Sequence, residues 1–172
     1  MDIGCGEGGD AIWLASQGWD VTAVDFADAA LARTMTHARE AGVADRIETR
    51  RIDVRTFAPD GETWDLVTSH FFHLPDGGMP DVVRRLASAV APGGTLLVVG
   101  HHPEDLETGL RHGHTTFMFT ADELATSLPD CLGDPTQFVV DVCETRPRTQ
   151  AHPHTGEEIA VADAVLRARR IG

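Results

Sequence analysis

Apolar positions along the chain follow two periods that alternate. Short runs at 20–24, 47–54, 64–69 and 95–99 read as strands, the last an uninterrupted apolar stretch (Thr95-Leu96-Leu97-Val98-Val99) of the kind buried on both faces in parallel sheets. Between them the spacing is helical. Ala11, Leu14 and Ala15 lie on one stripe of residues 8–17, with Gly18 as the stop; Leu31, Met35 and Ala38 share a stripe that Gly42 closes. Met79, Val82, Val83, Leu86 and Val90 mark a third, amphipathic helix, broken by Pro92-Gly93-Gly94. Beyond residue 100 the pattern changes. Thr120 and Glu123 have capping-box spacing for a short helix ending near Pro129, and 137–144 and 159–169 read as two strands joined by a loop alone. A parallel crossover normally needs a dozen residues or more and usually a helix, so this last pair is expected to be antiparallel.

Strands alternating with helices, then a terminal hairpin, predict an α/β three-layer domain with a mostly parallel sheet. At 172 residues there is room for one full core, and no linker or repeat divides residues 1–172. In such sheets ligands bind beyond the carboxyl ends of the strands. The tips to watch are Gly4–Gly8, Asp25-Phe26, Asp53-Val54, Ser69-His70 and Gly100-His101.

The first tip carries the densest chemistry. Asp2-Ile3-Gly4-Cys5-Gly6-Glu7-Gly8-Gly9 is a glycine-rich turn opening a helix whose first N–H groups have no partner within the helix. Asp25 follows Gly6 by nineteen residues, the distance at which an acid at a second strand's tip binds ribose hydroxyls. Gly4-x-Gly6-x-x-Gly9 formally matches a dinucleotide fingerprint, but the length leaves little room for a second nucleotide and a substrate domain. That fingerprint also leaves Asp53 unexplained.

Charge and cysteine content narrow the partners. A formal net charge of −13 disfavours nucleic acid, and no run approaches the ~18 apolar residues of a membrane span. Three widely spaced cysteines suggest reduced thiols in a cytoplasmic setting, with Cys5 a small residue in a tight turn rather than a nucleophile.

Asp2-Ile3-Gly4-Cys5-Gly6-Glu7-Gly8, Asp25, Asp53 and the Pro92-Gly93-Gly94 turn together resemble class I S-adenosylmethionine-dependent methyltransferases, in order and spacing. Residues 8–24 and Ser69-His70-Phe71-Phe72-His73-Leu74-Pro75 look most like the small-molecule and tellurite-resistance-type branch. The resemblance implies a Rossmann-like sheet, S-adenosyl-L-methionine as cofactor and a small-molecule acceptor. It also implies roles. Gly4, Cys5 and Gly6 would pass beneath the methionine part and ribose; Asp25 would take both ribose hydroxyls and Phe26 would lie against adenine. Asp53 would accept from the adenine amino group, Val54 N–H would face a ring nitrogen, and Ser69 and His70 would line the methyl end.

His70 and His73 are candidate bases, since a base matters when the acceptor must lose a proton; each also reads as a neutral loop histidine, as do His101 and His102. His112-x-His114 and His152-x-His154 lack a nearby acid or cysteine cluster of recognisable spacing, so no metal site is expected. The family usually carries more of strand one, and one or two helices, ahead of the glycine turn. Strand one is therefore expected to be a stub whose neighbours' amides need another partner, a homodimer being one arrangement. A functional alternative stands beside the enzyme: a catalytically silent module that binds the cofactor or its product and acts through a partner.

Overall fold

The computed structural model describes residues 1–75, 77–108, 117–128, 137–152 and 154–172. In chain order the elements are β1 (Asp2–Ile3), α1 (Gly9–Ser16), β2 (Val21–Asp25), α2 (Asp28–Glu40), β3 (Ile47–Arg51), β4 (Trp64–His70), α3 (Met79–Ser88), β5 (Val90–His101), α4 (Ala121–Ala125), β6 (Phe138–Ala151) and β7 (Glu158–Arg170). They form one seven-stranded sheet in the order β3-β2-β1-β4-β5-β7-β6. β1 to β5 pair in parallel, and β7 is antiparallel to both β5 and β6. The chain steps outward from β1 to β2 and β3, then returns across β1 to β4. That reversal opens a crevice at the carboxyl ends of β1, β2 and β4.

Alternate strand residues feed two apolar clusters, as a period of two requires. Ala23 joins α1 and α2 through Leu14, Leu31 and Ala38, whereas Ile3, Val24 and Val67 join α3 and α4 through Val82, Leu86 and Leu124. The sheet is therefore the middle of three layers. The stripe foreseen for α3 is buried from Met79 to Ala87. Thr120 caps α4 with both halves of a capping box. Two short 3₁₀ turns, Ala44–Arg46 and Pro103–Thr108, complete the described elements.

Three boundaries differ from the sequence pattern. β3 ends at Arg51, so Asp53 lies in the following loop, where Thr56 N–H and Thr56 Oγ1 turn back onto its carbonyl. β5 begins at Val90, and Pro92-Gly93-Gly94 sits in an irregularity where the register jumps from Trp64↔Val90 to Leu66↔Thr95. β6 runs on to Ala151. Its polar second half, with Pro147, resembles a loop in sequence, but as an edge strand paired only to β7 it tolerates both charge and proline.

β1 is two residues long. Asp2 and Ile3 pair with Ala23 and Val24 on one side and with Thr68 and Ser69 on the other. Trp64 Nε1–H donates to Thr22 Oγ1 at 3.1 Å, linking β4 to β2 directly. No helix among the described residues is long and apolar enough to cross a membrane.

Candidate functional site

The glycine turn is stitched to the end of β2. The N–H groups of Gly4 and Cys5 both donate to the Val24 carbonyl, at 2.8 and 3.0 Å. Gly4 has φ +71°, and a Cβ there would lie 2.8 Å from the Phe72 ring; at Gly8, φ is +87° and a Cβ would meet Thr34 Cγ2 at 2.7 Å. Both positions combine left-handed backbone with close approach, which excludes any side chain. α2 supports the turn from behind. Thr34, fully buried, donates from Oγ1 to the Gly6 carbonyl at 3.0 Å, and His37 Nδ1 meets the Glu7 carbonyl at 2.9 Å. These helix residues were silent in the sequence because they sit 28 and 30 positions from their partners. Burial pushes the Cys5 thiol up to about 11, so it stays protonated at neutral pH and fills space beside Thr34.

At the tip of β2, Asp25 is fixed by two backbone amides. Oδ2 accepts from Gly6 N–H at 3.1 Å and Oδ1 from Ala27 N–H at 3.0 Å. A carboxylate offers roughly four lone-pair sites, so about two are left for a ligand. Phe26 is 68% exposed, an unusual state for a large aromatic at a strand end. Across the loop, Asp53 receives three donors from Arg55: the backbone N–H and Nε on Oδ1, both at 3.0 Å, and Nη2 on Oδ2 at 2.8 Å. The guanidinium holds its carboxyl below the usual range. Val54 is buried beside it.

These residues line one cleft of about 480 Å³. Gly4, Asp25, Phe26, Asp53, Val54 and Arg55 line it together with Phe71, Phe72, His73, Leu74 and Pro75. Phe71 adopts φ +53°, uncommon for a bulky residue, with its N–H anchored on the Val99 carbonyl. Such strain collects where a side chain must be aimed at a ligand.

Ser69 and His70 end β4 just before Phe71, and neither they nor Cys5 and Gly6 are among the residues that line that cleft. Ser69 Oγ is sealed from solvent and has no hydrogen-bond partner among the described residues. His70 Nδ1 lies 3.1 Å from Asp10 Oδ2 on the first turn of α1, an ion-pair contact rather than an aligned hydrogen bond. The contact holds the imidazole above its ordinary pKa; burial opposes it, and Asp2 adds to it. Asp10 is correspondingly depressed. Asp2, 2% exposed, accepts from Thr68 Oγ1 at 3.0 Å, and burial pushes its carboxyl upward. Asp10 was absent from the sequence reading; its only signal was an acid in the first turn after the glycines.

His73 is placed differently from His70. Its Nδ1 lies 2.6 Å from the Phe117 carbonyl, which can only accept, and its Nε2 lies 3.2 Å from His101 N–H, which can only donate. The ring is therefore a neutral Nδ1–H tautomer with both nitrogens engaged by backbone, and it ties the loop after β4 to β5. His101 stacks on it at 5.0 Å and tilts against Phe71 at 4.8 Å. His102 is buried, with Nδ1 accepting from Glu104 N–H. Among the described residues no group of three or more His, Cys, Asp or Glu could hold a metal ion, His152 and His154 included. His112, His114, Pro129 and Cys131 lie outside the described residues.

A turn that brings bare backbone to the cleft at Gly4, a pair of free lone pairs on Asp25, an exposed aromatic and an orphaned serine hydroxyl at the end of β4 fit an adenosyl cofactor with a methionyl tail. The comparisons agree. A family model described as methyltransferase domain matches residues 1–94, just over half of the chain. Hemagglutinin 1 of Eikenella corrodens is 30% identical over 125 residues, covering 72% of this chain and 39% of that protein. The ubiquinone biosynthesis O-methyltransferase of Marinobacter nauticus is 33% identical over 103 residues, covering 57% of this chain and 42% of that enzyme. The chain thus spans about two fifths of the length of these curated relatives. The solved structure of TehB from Haemophilus influenzae superimposes with a TM-score of 0.70 at 20% identity, over 98% of this chain and 57% of that one, which shows a shared fold. By its family match and its sheet, the chain belongs to the class I S-adenosylmethionine-dependent methyltransferases.

Proposed function

We propose that the protein binds S-adenosylmethionine in the 480 Å³ cleft and transfers its methyl group to a small-molecule acceptor. The observation that carries this reading is Asp25, held by the Gly6 and Ala27 amides in the lining of that cleft with acceptor capacity to spare. In this reading Asp25 takes the ribose hydroxyls, Phe26 covers the adenine face, Asp53 accepts from the adenine amino group and Val54 N–H faces a ring nitrogen. Gly4, Cys5 and Gly6 pass beneath the ribose and methionine part, while Ser69 and His70 line the methyl end. When bound, the cofactor supplies an electrophilic methyl: the acceptor's electron pair takes the carbon as the C–S pair stays on sulfur.

The protein's own work is positioning, because in-line approach supplies much of the acceleration in such transfers. The Phe71–Pro75 segment, which lines the same cleft, is where an acceptor would be held and water excluded. His70 is the candidate to take a proton from it. The relative named as an O-methyltransferase supports an acceptor of small-molecule size.

The test is paired. Titration calorimetry with S-adenosylhomocysteine measures binding, and transfer of radiolabelled methyl to a panel of catechols, primary amines and thiols measures turnover. Binding with turnover supports the enzyme, binding without turnover on any acceptor supports a silent binding module, and tight binding of a nicotinamide dinucleotide instead overturns the proposal.

A further inference from the structure

We infer that Asp10 is the positioning partner of His70: it holds the imidazole with its proton on Nδ1 and leaves Nε2 as the nitrogen that takes the acceptor's proton. This rests on the methyltransferase reading above and adds a residue to it. The two side chains come from elements sixty positions apart, α1 and the end of β4, brought to 3.1 Å by the switch in strand order. His70 has limited freedom, since its side chain is only 20% exposed and Nδ1 itself is sealed from solvent. Asp10 is 57% exposed, and it sits where the first turn of a helix favours an acid.

The charged groups facing His70 are Asp10 from α1 and Asp2 from β1, both acidic. Asp2 is already engaged by Thr68, so Asp10 is the carboxylate placed to fix the tautomer. A carboxylate oxygen 3.1 Å away repels a nitrogen lone pair and attracts an N–H, so the nitrogen beside it carries the proton. In the neutral ring Nε2 then carries the lone pair. Nε2 gains the proton that the acceptor loses, imidazole becomes imidazolium beside two carboxylates, and the proton afterwards passes to solvent through the exposed part of the ring. A carboxylate behind the imidazole makes Nε2 a stronger base, which suits an acceptor whose hydroxyl or amine is a weak acid. His73, with both nitrogens engaged by backbone, has no equivalent capacity.

The experiment compares the full chain with its Asp10→Asn and His70→Ala variants. Imidazole ¹⁵N resonances, assigned by the signal that His70→Ala loses, give the tautomer and titration midpoint of His70 without any acceptor. Expected are an Nδ1–H tautomer and a midpoint above the ordinary histidine value in the wild type, with a lower midpoint and mixed tautomers in Asp10→Asn. On any acceptor of the panel that turns over, Asp10→Asn lowers kcat about tenfold, as loss of an orienting second partner does. It also moves the acid limb of the kcat profile to lower pH and keeps S-adenosylhomocysteine affinity within about twofold, and Asp10→Glu restores part of the rate. An unchanged tautomer and midpoint in Asp10→Asn overturns the inference, whether or not an acceptor is found. Methyl transfer that persists at full rate in Asp10→Asn overturns it while the methyltransferase reading stands. Failure to bind S-adenosylhomocysteine overturns the reading beneath it, and with it the catalytic role given to the pair.

Discussion

Replacing Asp25 by alanine tests the cofactor site most directly. Its carboxylate does two jobs. It satisfies the amides of Gly6 and Ala27, at 3.1 and 3.0 Å, and it keeps about two lone pairs for the ribose diol. Alanine removes both, so the expected loss in S-adenosylhomocysteine affinity is that of one charge-assisted contact, about 1.5–3 kcal/mol. That is roughly 10- to 150-fold in Kd. Asp25→Asn is expected to lose nearly as much despite its size. One end of an amide is an NH₂, and with one oxygen anchored by each backbone donor, that NH₂ must face either Gly6 N–H or Ala27 N–H. Titration calorimetry reads both variants, with thermal unfolding run beside it to show that each is folded. A Kd within threefold of wild type in Asp25→Ala would falsify the ribose assignment. A full loss in alanine with none in asparagine would show that one uncharged acceptor oxygen suffices, and would refute the argument from two anchored oxygens.

Further perturbations follow from packing and charge. A Cβ at Gly100 would collide with the Phe119 ring, so Gly100→Ala is expected to cost about 1–3 kcal/mol, read as a lower Tm; an unchanged Tm would mean that the ring moves aside freely. Arg148 grips Asp163 through two bonds, 2.6 and 3.2 Å, and Asp163 is 7% exposed. Arg148→Met leaves that carboxylate buried, and since Arg148 itself is about one-third exposed, the expected cost is about 1–3 kcal/mol in denaturant unfolding, below that of a fully buried pair. For the Asp10–His70 pair, the raised imidazole stabilises fully below its unfolded value of 6.5 and loses that contribution as pH rises through its folded value. The depressed carboxylate stabilises above 3.8 and loses it as pH falls through its folded value. The stability difference between wild type and Asp10→Asn should therefore be greatest between these limits, at most about 1 kcal/mol given Asp10's exposure, and should shrink on the alkaline side. A difference that instead grows above neutral pH would contradict the assignment.

The sequence by itself determined most of the frame. The short apolar runs of β2, β4 and β5, the helical stripes in α1, α2 and α3, and the capping box of α4 are local patterns, and local patterns survive in the sequence. The antiparallel hairpin β6–β7 followed from the lack of a crossover helix. The glycine turn and Asp25 were legible because left-handed backbone and a strand-tip acid are properties of single positions at a fixed spacing. Other features arise from contacts between distant elements, which no spacing encodes, and only the tertiary structure decided them. Thr34 and His37 brace the turn from the neighbouring helix. Asp53 falls beyond its strand into the grip of Arg55, because strand length is set by what β2 offers for pairing. β6 extends through polar residues because β7 lies beside it along its whole length. The histidines show the difference most plainly. His70 and His73 are three residues apart and looked alike in the sequence, but the sheet sets one beside Asp10 and gives the other's two nitrogens to the backbone of Phe117 and His101. An imidazole's chemistry depends on what faces each nitrogen, and that is fixed only when the chain has folded.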